Sequence, residues 1–239
     1  MYGRPAFHDR HDAGRRLAAA LGHLGGRNPL VLALPRGGVP VAFEVAVALG
    51  AELDLLFVRK LGAPGYEELG IGAVVDGAEP QLVLNDDIVQ QLGVPSDYIR
   101  AELHHQLGEI ERRRGAYVGG RAPMPMAGRT VIIVDDGIAT GGTVKAALKG
   151  ARRNRPAHLV LAVPVAPRET LDELRDECDE IVCLVSPDPF GAVGAHYVDF
   201  TQTSDQEVVT LLARAATAHQ LNAIASADPA PGTPKGDQR

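Results

Sequence analysis

Two adjacent aspartates, Asp135 and Asp136, stand between an apolar run and a loop of small residues in the segment VIIVDDGIATGGT, residues 131–143. The apolar run predicts a buried strand, and the pattern after the loop predicts a helix. In an open parallel sheet, ligands bind at the carboxyl ends of the strands. The two carboxylates are therefore candidates for contact with a ligand at that edge.

The loop after the aspartates has the composition of a phosphate site. Small residues before a helix expose successive backbone amides, and the helix dipole adds partial positive charge. The candidate phosphate ligands are Ala139, Thr140, Gly141, Gly142 and Thr143. Paired carboxylates beside a phosphate can accept hydrogen bonds from sugar hydroxyls or help hold hydrated Mg²⁺. The combination describes a ribose 5-phosphate site; the alternative is a strand-ending turn with a flexible loop.

Two further segments carry cations where an apolar run ends. In LPRGG, residues 34–38, the two glycines let backbone approach a ligand closely, and Arg36 offers a fork of donors to phosphate oxygens. In VRKLGAPG, residues 58–65, the neighbours Arg59 and Lys60 suit a leaving pyrophosphate. The alternatives are a plain turn with a solvated arginine and a charged strand end.

Apolar runs alternate with helical patterns along most of the chain. The predicted strands are 29–34, 53–58, 131–135, 158–165 and 180–185, and the predicted helices between them are 39–49, 143–150 and 169–177. Such a Rossmann-like alternation predicts an α/β fold in which helices flank a parallel sheet.

Two segments interrupt this alternation. Residues 59–128 form an insertion with a predicted hairpin, 71–75 with 81–85, and a charged helix over 96–116 that Ser96 caps. The arginines at 112–114 are expected to be a solvated helix end or a subunit contact. Residues 190–212 contain late aromatics and a capping box, Ser204 with Glu207.

We therefore expect one domain over residues 1–223, with a core at about 28–190. The insertion at 59–128 and a small hood at about 186–212, joined by part of the N-terminus, belong to it. Residues 224–239 are rich in Pro, Gly and Ala and are expected to be disordered.

Composition narrows the class of protein. The chain has a net charge of −6 and so lacks the basic surface that is typical of nucleic-acid binders. No nucleic-acid partner is therefore expected. No apolar run reaches the length of a membrane span, and the first residues lack the apolar segment of a signal peptide. Two cysteines make neither a disulfide framework nor a zinc site. A cytoplasmic protein is expected.

These motifs resemble the type I phosphoribosyltransferases, and 131–143 is similar to their signature for 5-phosphoribosyl 1-pyrophosphate (PRPP). The fuller pattern resembles an uncharacterised bacterial branch of predicted phosphoribosyltransferases: F-x-D-R-x-D-A-G-R-x-L at 7–17, LPRGG, VRKLGAPG and a late VGAHYVDFTQTSDQEV. The resemblance implies the type I fold, with a mobile-loop and helical insertion and a C-terminal hood.

The resemblance also implies roles for the candidate residues. Asp135 and Asp136 bind the ribose and Mg²⁺, through water, and residues 139–143 bind the 5-phosphate. The pyrophosphate is bound by Arg36, Gly37, Gly38 and Lys60. Arg36, Arg59 and Lys60 are the catalytic candidates. A cis peptide bond between Pro35 and Arg36 is implied, as is a mobile loop that begins at Arg59.

In this family a variable hood recognises the base. The candidates here are Phe190, Tyr197, Asp199 and Phe200, and the alternative is that these aromatics fill a small satellite core. Relatives that use 6-oxopurines have an acidic residue at the position of Ala139. Alanine there argues against hypoxanthine–guanine chemistry of that kind.

The implied activity is transfer of the 5-phosphoribosyl group from PRPP to a nitrogenous base with release of pyrophosphate, in nucleotide salvage or related metabolism. The alternative is a non-catalytic PRPP sensor or regulatory protein with the same fold. A dinucleotide-binding enzyme is a weaker interpretation, because G-x-G-x-x-G is absent after the first strand. A homodimer is expected by analogy alone.

Overall fold

The computed structural model of the chain describes residues 5–227. Eight strands occur in this range: β1 (Pro29–Ala33), β2 (Glu52–Leu55), β3 (Val58–Ala63), β4 (Tyr66–Val75), β5 (Gln81–Leu84), β6 (Thr130–Val134), β7 (His158–Val165) and β8 (Glu180–Val185). Seven α-helices accompany them: α1 (Arg10–Ala20), α2 (Gly38–Leu49), α3 (Asp86–Leu92), α4 (Ser96–Val118), α5 (Gly142–Arg153), α6 (Arg168–Leu174) and α7 (Asp205–Ala227).

The main sheet has five parallel strands in the order β2-β1-β6-β7-β8, with helices on both faces. The predicted α/β class with a flanked parallel sheet is confirmed. Alternate residues of the strands face opposite sides, so Val31 and Ile132 share one core with α2 and α7. Leu32 and Ile133 share the other core with α5.

The register of β1 and β6 positions the candidate site. Ala33 of β1 lies opposite Val134 of β6, and the amide of Leu34 donates to the Val134 carbonyl at 2.9 Å. Both strands therefore end at the same level. The loop over residues 34–38 and the aspartate pair emerge side by side at the carboxyl edge of the sheet.

The second predicted strand was too long, and the segment after it is not a loop. The parallel strand β2 ends at Leu55, and Val58 already begins β3, which belongs to a separate antiparallel sheet in the order β3-β4-β5. The segment expected to be a mobile loop is a β3–β4 hairpin that turns at Pro64 and Gly65. The Gly and Pro signals mark this tight turn rather than an open loop.

The insertion helix α4 is anchored by a buried ion network. Arg114 has 6% of its surface exposed, and its guanidinium donates to Asp54 at 2.6 Å and to Asp76 at 2.8 Å. The prediction that all three arginines at 112–114 lie in solvent or at a subunit contact is wrong for Arg114. The helix begins at Ser96 itself, after Pro95, so Ser96 is not the predicted cap.

The last helix begins as the capping box predicts, because the Glu207 amide donates to Ser204 Oγ at 3.1 Å. Residues 224–227 belong to α7 and not to the predicted disordered tail, whose remaining residues, 228–239, lie outside the described range. Within residues 5–227, no helix combines the length and apolarity needed to cross a membrane.

Candidate functional site

The aspartate pair lies at the end of β6 against the loop of β1. Asp135 Oδ1 accepts a hydrogen bond of 2.8 Å from the Asp136 amide, which fixes the first carboxylate over the turn. A Cβ on Gly37 would overlap the Asp136 carboxylate, so this position requires glycine. The second aspartate is therefore packed directly against the loop after β1.

An arginine from the N-terminal helix holds the second aspartate. Arg10 Nε donates to Asp136 Oδ2 at 2.8 Å, and both side chains are mostly buried, with 10% and 14% exposed. Its Nη1 donates to the Thr201 carbonyl at 2.7 Å, and its guanidinium lies 3.9 Å from the centre of the Phe200 ring. Sequence reasoning missed Arg10, although the quoted motif F-x-D-R-x-D contains it.

The two carboxyls have different electrostatic surroundings. Burial, followed by the negative charge of Asp136, raises the pKa of Asp135 well above its usual range. Burial also raises the pKa of Asp136, but the Arg10 guanidinium opposes that rise. Asp136 is therefore paired with a cation of the protein, whereas burial favours the neutral form of Asp135.

The loop after the aspartates is held in shape by α6 and β7. Thr170 Oγ1 donates to the Ala139 carbonyl at 2.9 Å, and the Ile138 amide donates to the Val165 carbonyl at 2.9 Å. Gly141 has φ 74°, and a Cβ there would lie 2.7 Å from Thr170 Cγ2. Both observations require glycine at this turn.

The same loop presents donors to solvent at the start of α5. Ala139, Thr140 and Thr143 are exposed, and Gly141 gives the helix no side-chain cap. The first amides of a helix have no intrahelical acceptor, so they remain available to an anion. All five residues predicted for the 5-phosphate lie together here.

Arg36 lies in the loop after β1, at the same carboxyl edge of the sheet as the loop before α5. Its side chain contacts Asp205 at the start of α7. The implied cis peptide bond between Pro35 and Arg36 is present. Arg36 Nη1 lies 3.2 Å from Asp205 Oδ1, and the Tyr117 hydroxyl donates to that same oxygen at 2.6 Å. These two donors lower the pKa of Asp205, Tyr117 being the stronger influence.

The structure does not bring Arg59 and Lys60 together on one face. Successive side chains of a strand point to opposite sides. Arg59 Nε donates to Gln106 Oε1 on α4 at 2.9 Å. Lys60 instead lines a cavity of about 640 Å³ with Thr143 and Lys145 of α5. The two cations expected at a single leaving group therefore have separate surroundings, because they are neighbours on the strand β3.

The hood aromatics mostly pack against one another. Tyr197 is 4% exposed, lies between Phe7 and Phe200, and donates its hydroxyl to the Asp136 carbonyl at 2.5 Å. Phe190 packs against the His196 ring and joins the same small cluster. The satellite core that the sequence left open as an alternative is thus present, and it supports the aspartate turn.

The two remaining hood candidates are more accessible. Phe200 is 36% exposed, although Arg10 lies over its ring and Tyr197 stacks against it. The exposed Asp199 carboxylate accepts from the amide and hydroxyl of Thr201, at 2.9 and 2.6 Å. Of the four residues predicted for base recognition, these two are exposed, Phe190 is partly buried and Tyr197 is buried.

A family model and several proteins match this chain. Residues 82–200 match the model "Phosphoribosyl transferase domain". Over 209 residues, 87% of this chain, it is 50% identical to the putative phosphoribosyl transferases Rv0571c and MT0597 of two Mycobacterium tuberculosis strains. The match covers 47% of their length, so the chain spans about half of these curated relatives.

A solved structure is similar over nearly its whole length. The crystal structure of TT1426 from Thermus thermophilus is 42% identical, and the match covers 87% of this chain and 98% of that one. The TM-score is 0.76, so the two proteins have the same overall fold.

Proposed function

The chain belongs to the phosphoribosyltransferase family and has its type I fold, and on that premise we propose that it transfers the 5-phosphoribosyl group of PRPP to a nitrogenous base and releases pyrophosphate. One observation carries the proposal. The register of β1 and β6 sets the loop at 34–38 beside Asp135 and Asp136, directly before an exposed amide loop. A sugar with a phosphate at one end and a pyrophosphate at the other fits that order of groups.

Each group has a distinct task in this proposal. Asp135 accepts hydrogen bonds from the ribose hydroxyls, and Asp136 supports it while bound to Arg10. The amides and hydroxyls over residues 139–143 bind the 5-phosphate. Arg36 and the backbone at Gly37 and Gly38 bind the pyrophosphate.

The carboxylates of Asp135 and Asp136 suit Mg²⁺ only when the substrate supplies further ligands. Among residues 5–227, no cluster of three or more His, Cys, Asp or Glu side chains is placed to hold a metal ion. Mg²⁺ commonly binds one or two carboxylates together with substrate phosphates and water. Asp135 and Asp136 would hold it in that way, and the ion would neutralise charge on the pyrophosphate.

Catalysis then consists mainly of positioning and electrostatic stabilisation. The bond from ribose C1 to the pyrophosphate oxygen breaks and a bond from C1 to the acceptor nitrogen forms, while a proton leaves that nitrogen. Positive charge develops at C1, as in glycoside cleavage. The adjacent carboxylates stabilise this charge, and Arg36 stabilises the negative charge on the departing group.

The wider biology belongs to the same proposal. We place the protein in nucleotide salvage or related metabolism, in the cytoplasm, as a homodimer with one site in each copy. Its two cysteines, Cys178 and Cys183, are free, as expected in a reducing compartment.

A pyrophosphate-release assay over a panel of purine, pyrimidine and other nitrogen acceptors tests the activity, with PRPP binding measured in parallel by calorimetry. We expect turnover with at least one acceptor. Binding of PRPP without turnover on any of them would favour the sensor alternative, and absence of PRPP binding would contradict both.

A further inference from the structure

A cavity of about 350 Å³ opens beside the loop at 34–38, between α4 and the start of α7. We call it the arginine cavity, and its lining includes Arg36, Phe57, Arg112, Arg113, Tyr117 and Asp205. Phe57 and Tyr117 stack at 6.2 Å between ring centres and form an aromatic wall. The cavity therefore has an aromatic wall and is lined by three arginines.

The charge of the arginine cavity is unbalanced. Three guanidinium groups line it, against the single carboxylate of Asp205. That carboxylate contacts Arg36 and Tyr117, while Arg112 pairs at 2.9 Å with Glu109, which lies outside the lining. Arg112 and Arg113 are exposed on α4, so their charges are accessible to a ligand. An excess of clustered guanidinium donors favours a phosphate-bearing anion.

The arginine cavity adjoins the site already described through the loop at 34–38. Arg36 lines it, and the next residue, Gly37, lies directly against Asp136. Arg59, which the sequence suggested for the leaving group, is instead engaged with Gln106 on α4. Arg36 is therefore joined in the lining of the arginine cavity by two cations of α4 and by none of β3.

We propose that Arg112 and Arg113 join Arg36 in binding the pyrophosphate group of the donor. This inference rests on the proposed function and adds binding residues to it. Asp205 and the pyrophosphate compete for Arg36, because both are anionic acceptors for the same guanidinium. Asp205 thereby weakens binding of the leaving group and favours its release.

The first test is calorimetric titration of inorganic pyrophosphate with Mg²⁺ into the Arg112→Gln/Arg113→Gln double variant. We expect affinity to fall about tenfold or more, as the loss of charge-assisted hydrogen bonds implies. Arg100→Gln is the matched control, since Arg100 is exposed on the same helix and pairs with Asp97. Equal pyrophosphate affinity in the double variant and the control would overturn the inference.

The second test uses a change that should improve binding. Asp205→Asn removes the competing charge, and the side-chain relative exposure of Asp205 is 70%, so folding should be preserved. We expect several-fold tighter binding of pyrophosphate than in the wild type. Unchanged or weaker binding would contradict the assigned competition.

Competition with PRPP separates this inference from the proposed function. We expect pyrophosphate to be displaced by PRPP, because both would use the arginine cavity. If the wild-type protein binds PRPP and pyrophosphate at the same time, the arginine cavity does not bind the pyrophosphate group of PRPP. If wild-type protein binds no PRPP, the proposed function itself fails.

Discussion

At the scale of single residues, the aspartate turn depends on contacts that reach it from distant parts of the chain. Arg10 comes from the N-terminal helix, Tyr197 from the hood and Gly37 from the loop after β1. Together they fix both the side chain and the backbone of Asp136. The Asp135 carboxylate is held locally, by the amide of Asp136.

Arg10→Gln should weaken PRPP binding by roughly tenfold, because a charge-assisted bond that positions Asp136 is lost. Removal of the cation should also raise the pKa of Asp136 further, since Arg10 opposes the effect of burial. Because PRPP is expected to bind the carboxylate form of Asp136, the pH at which PRPP affinity is half its maximum should move to a higher value. Calorimetry across mildly acidic to neutral pH measures both effects.

The control for this change is Arg15→Gln, because Arg15 lies on the same helix, is 60% exposed and has only a 3.8 Å contact with Glu44. Its affinity and pH profile should match those of the wild type. A loss of affinity in the Arg10 variant with no movement of the pH profile would point to general disruption instead.

Gly37→Ala should disturb the site, because the added methyl group overlaps the Asp136 carboxylate. Overpacking of this kind typically costs about 1–3 kcal/mol of unfolding free energy. We expect lower stability in urea titration together with weaker PRPP binding. Gly108→Ala is the control, since a Cβ there meets nothing within 4 Å; equal behaviour of the two variants would contradict the close approach.

At the scale of elements, the insertion is attached to the main sheet by charge as well as by apolar packing. Arg114 of α4 binds Asp54 at the end of β2 and Asp76 just after β4. Met124 and Leu55 add backbone amides to the Asp54 carboxylate. The network fixes α4, and with it Arg112 and Arg113, relative to the loop at 34–38.

Arg114→Met should destabilise the protein by about 3–5 kcal/mol, because two buried carboxylates lose their shared cation. Urea unfolding measures the change, with Arg100→Met as the exposed control on the same helix. A change in the Arg114 variant no larger than in the control would show that the network contributes little.

The edge of the sheet opposite the candidate site should respond to acid. Bidentate contact with Arg152 lowers the pKa of Asp179. A lowered folded pKa contributes stability above the ordinary carboxyl pKa, and this contribution is lost as pH falls through the folded value. The thermal unfolding temperature should therefore decrease less steeply with falling pH in Asp179→Asn than in the wild type. If the unfolding temperatures of the two proteins decreased in parallel, the Asp179–Arg152 contact would not be a source of the acid sensitivity.

At the scale of the whole molecule, local pattern predicted the parallel sheet but not the contacts across it. The strands at 158–165 and 180–185 were predicted to the residue, because continuous apolar runs have clear ends. The hairpin that contains Arg59 and Lys60 was not, since glycine and proline marked a turn whose flanking strands have polar residues. Pairing between strands is a tertiary property.

The candidate site divides in the same way. The residues of the loop over 139–143 were predicted together because they are contiguous, and the structure places them together at the start of α5. Arg10 and Arg114 were missed as partners of aspartates, since a local pattern carries no signal for a salt bridge across more than 30 residues. For Tyr197 the sequence left base contact and a satellite core open, and the structure places it in that core, with its hydroxyl on the Asp136 carbonyl.

The most direct measurement is calorimetric titration of PRPP with Mg²⁺ into the Asp135→Asn/Asp136→Asn variant, with unfolding measured on the same sample. We expect PRPP binding to be abolished while the protein stays folded, because the ribose and the hydrated cation lose both carboxylates. Affinity equal to that of the wild type in a folded variant would contradict it.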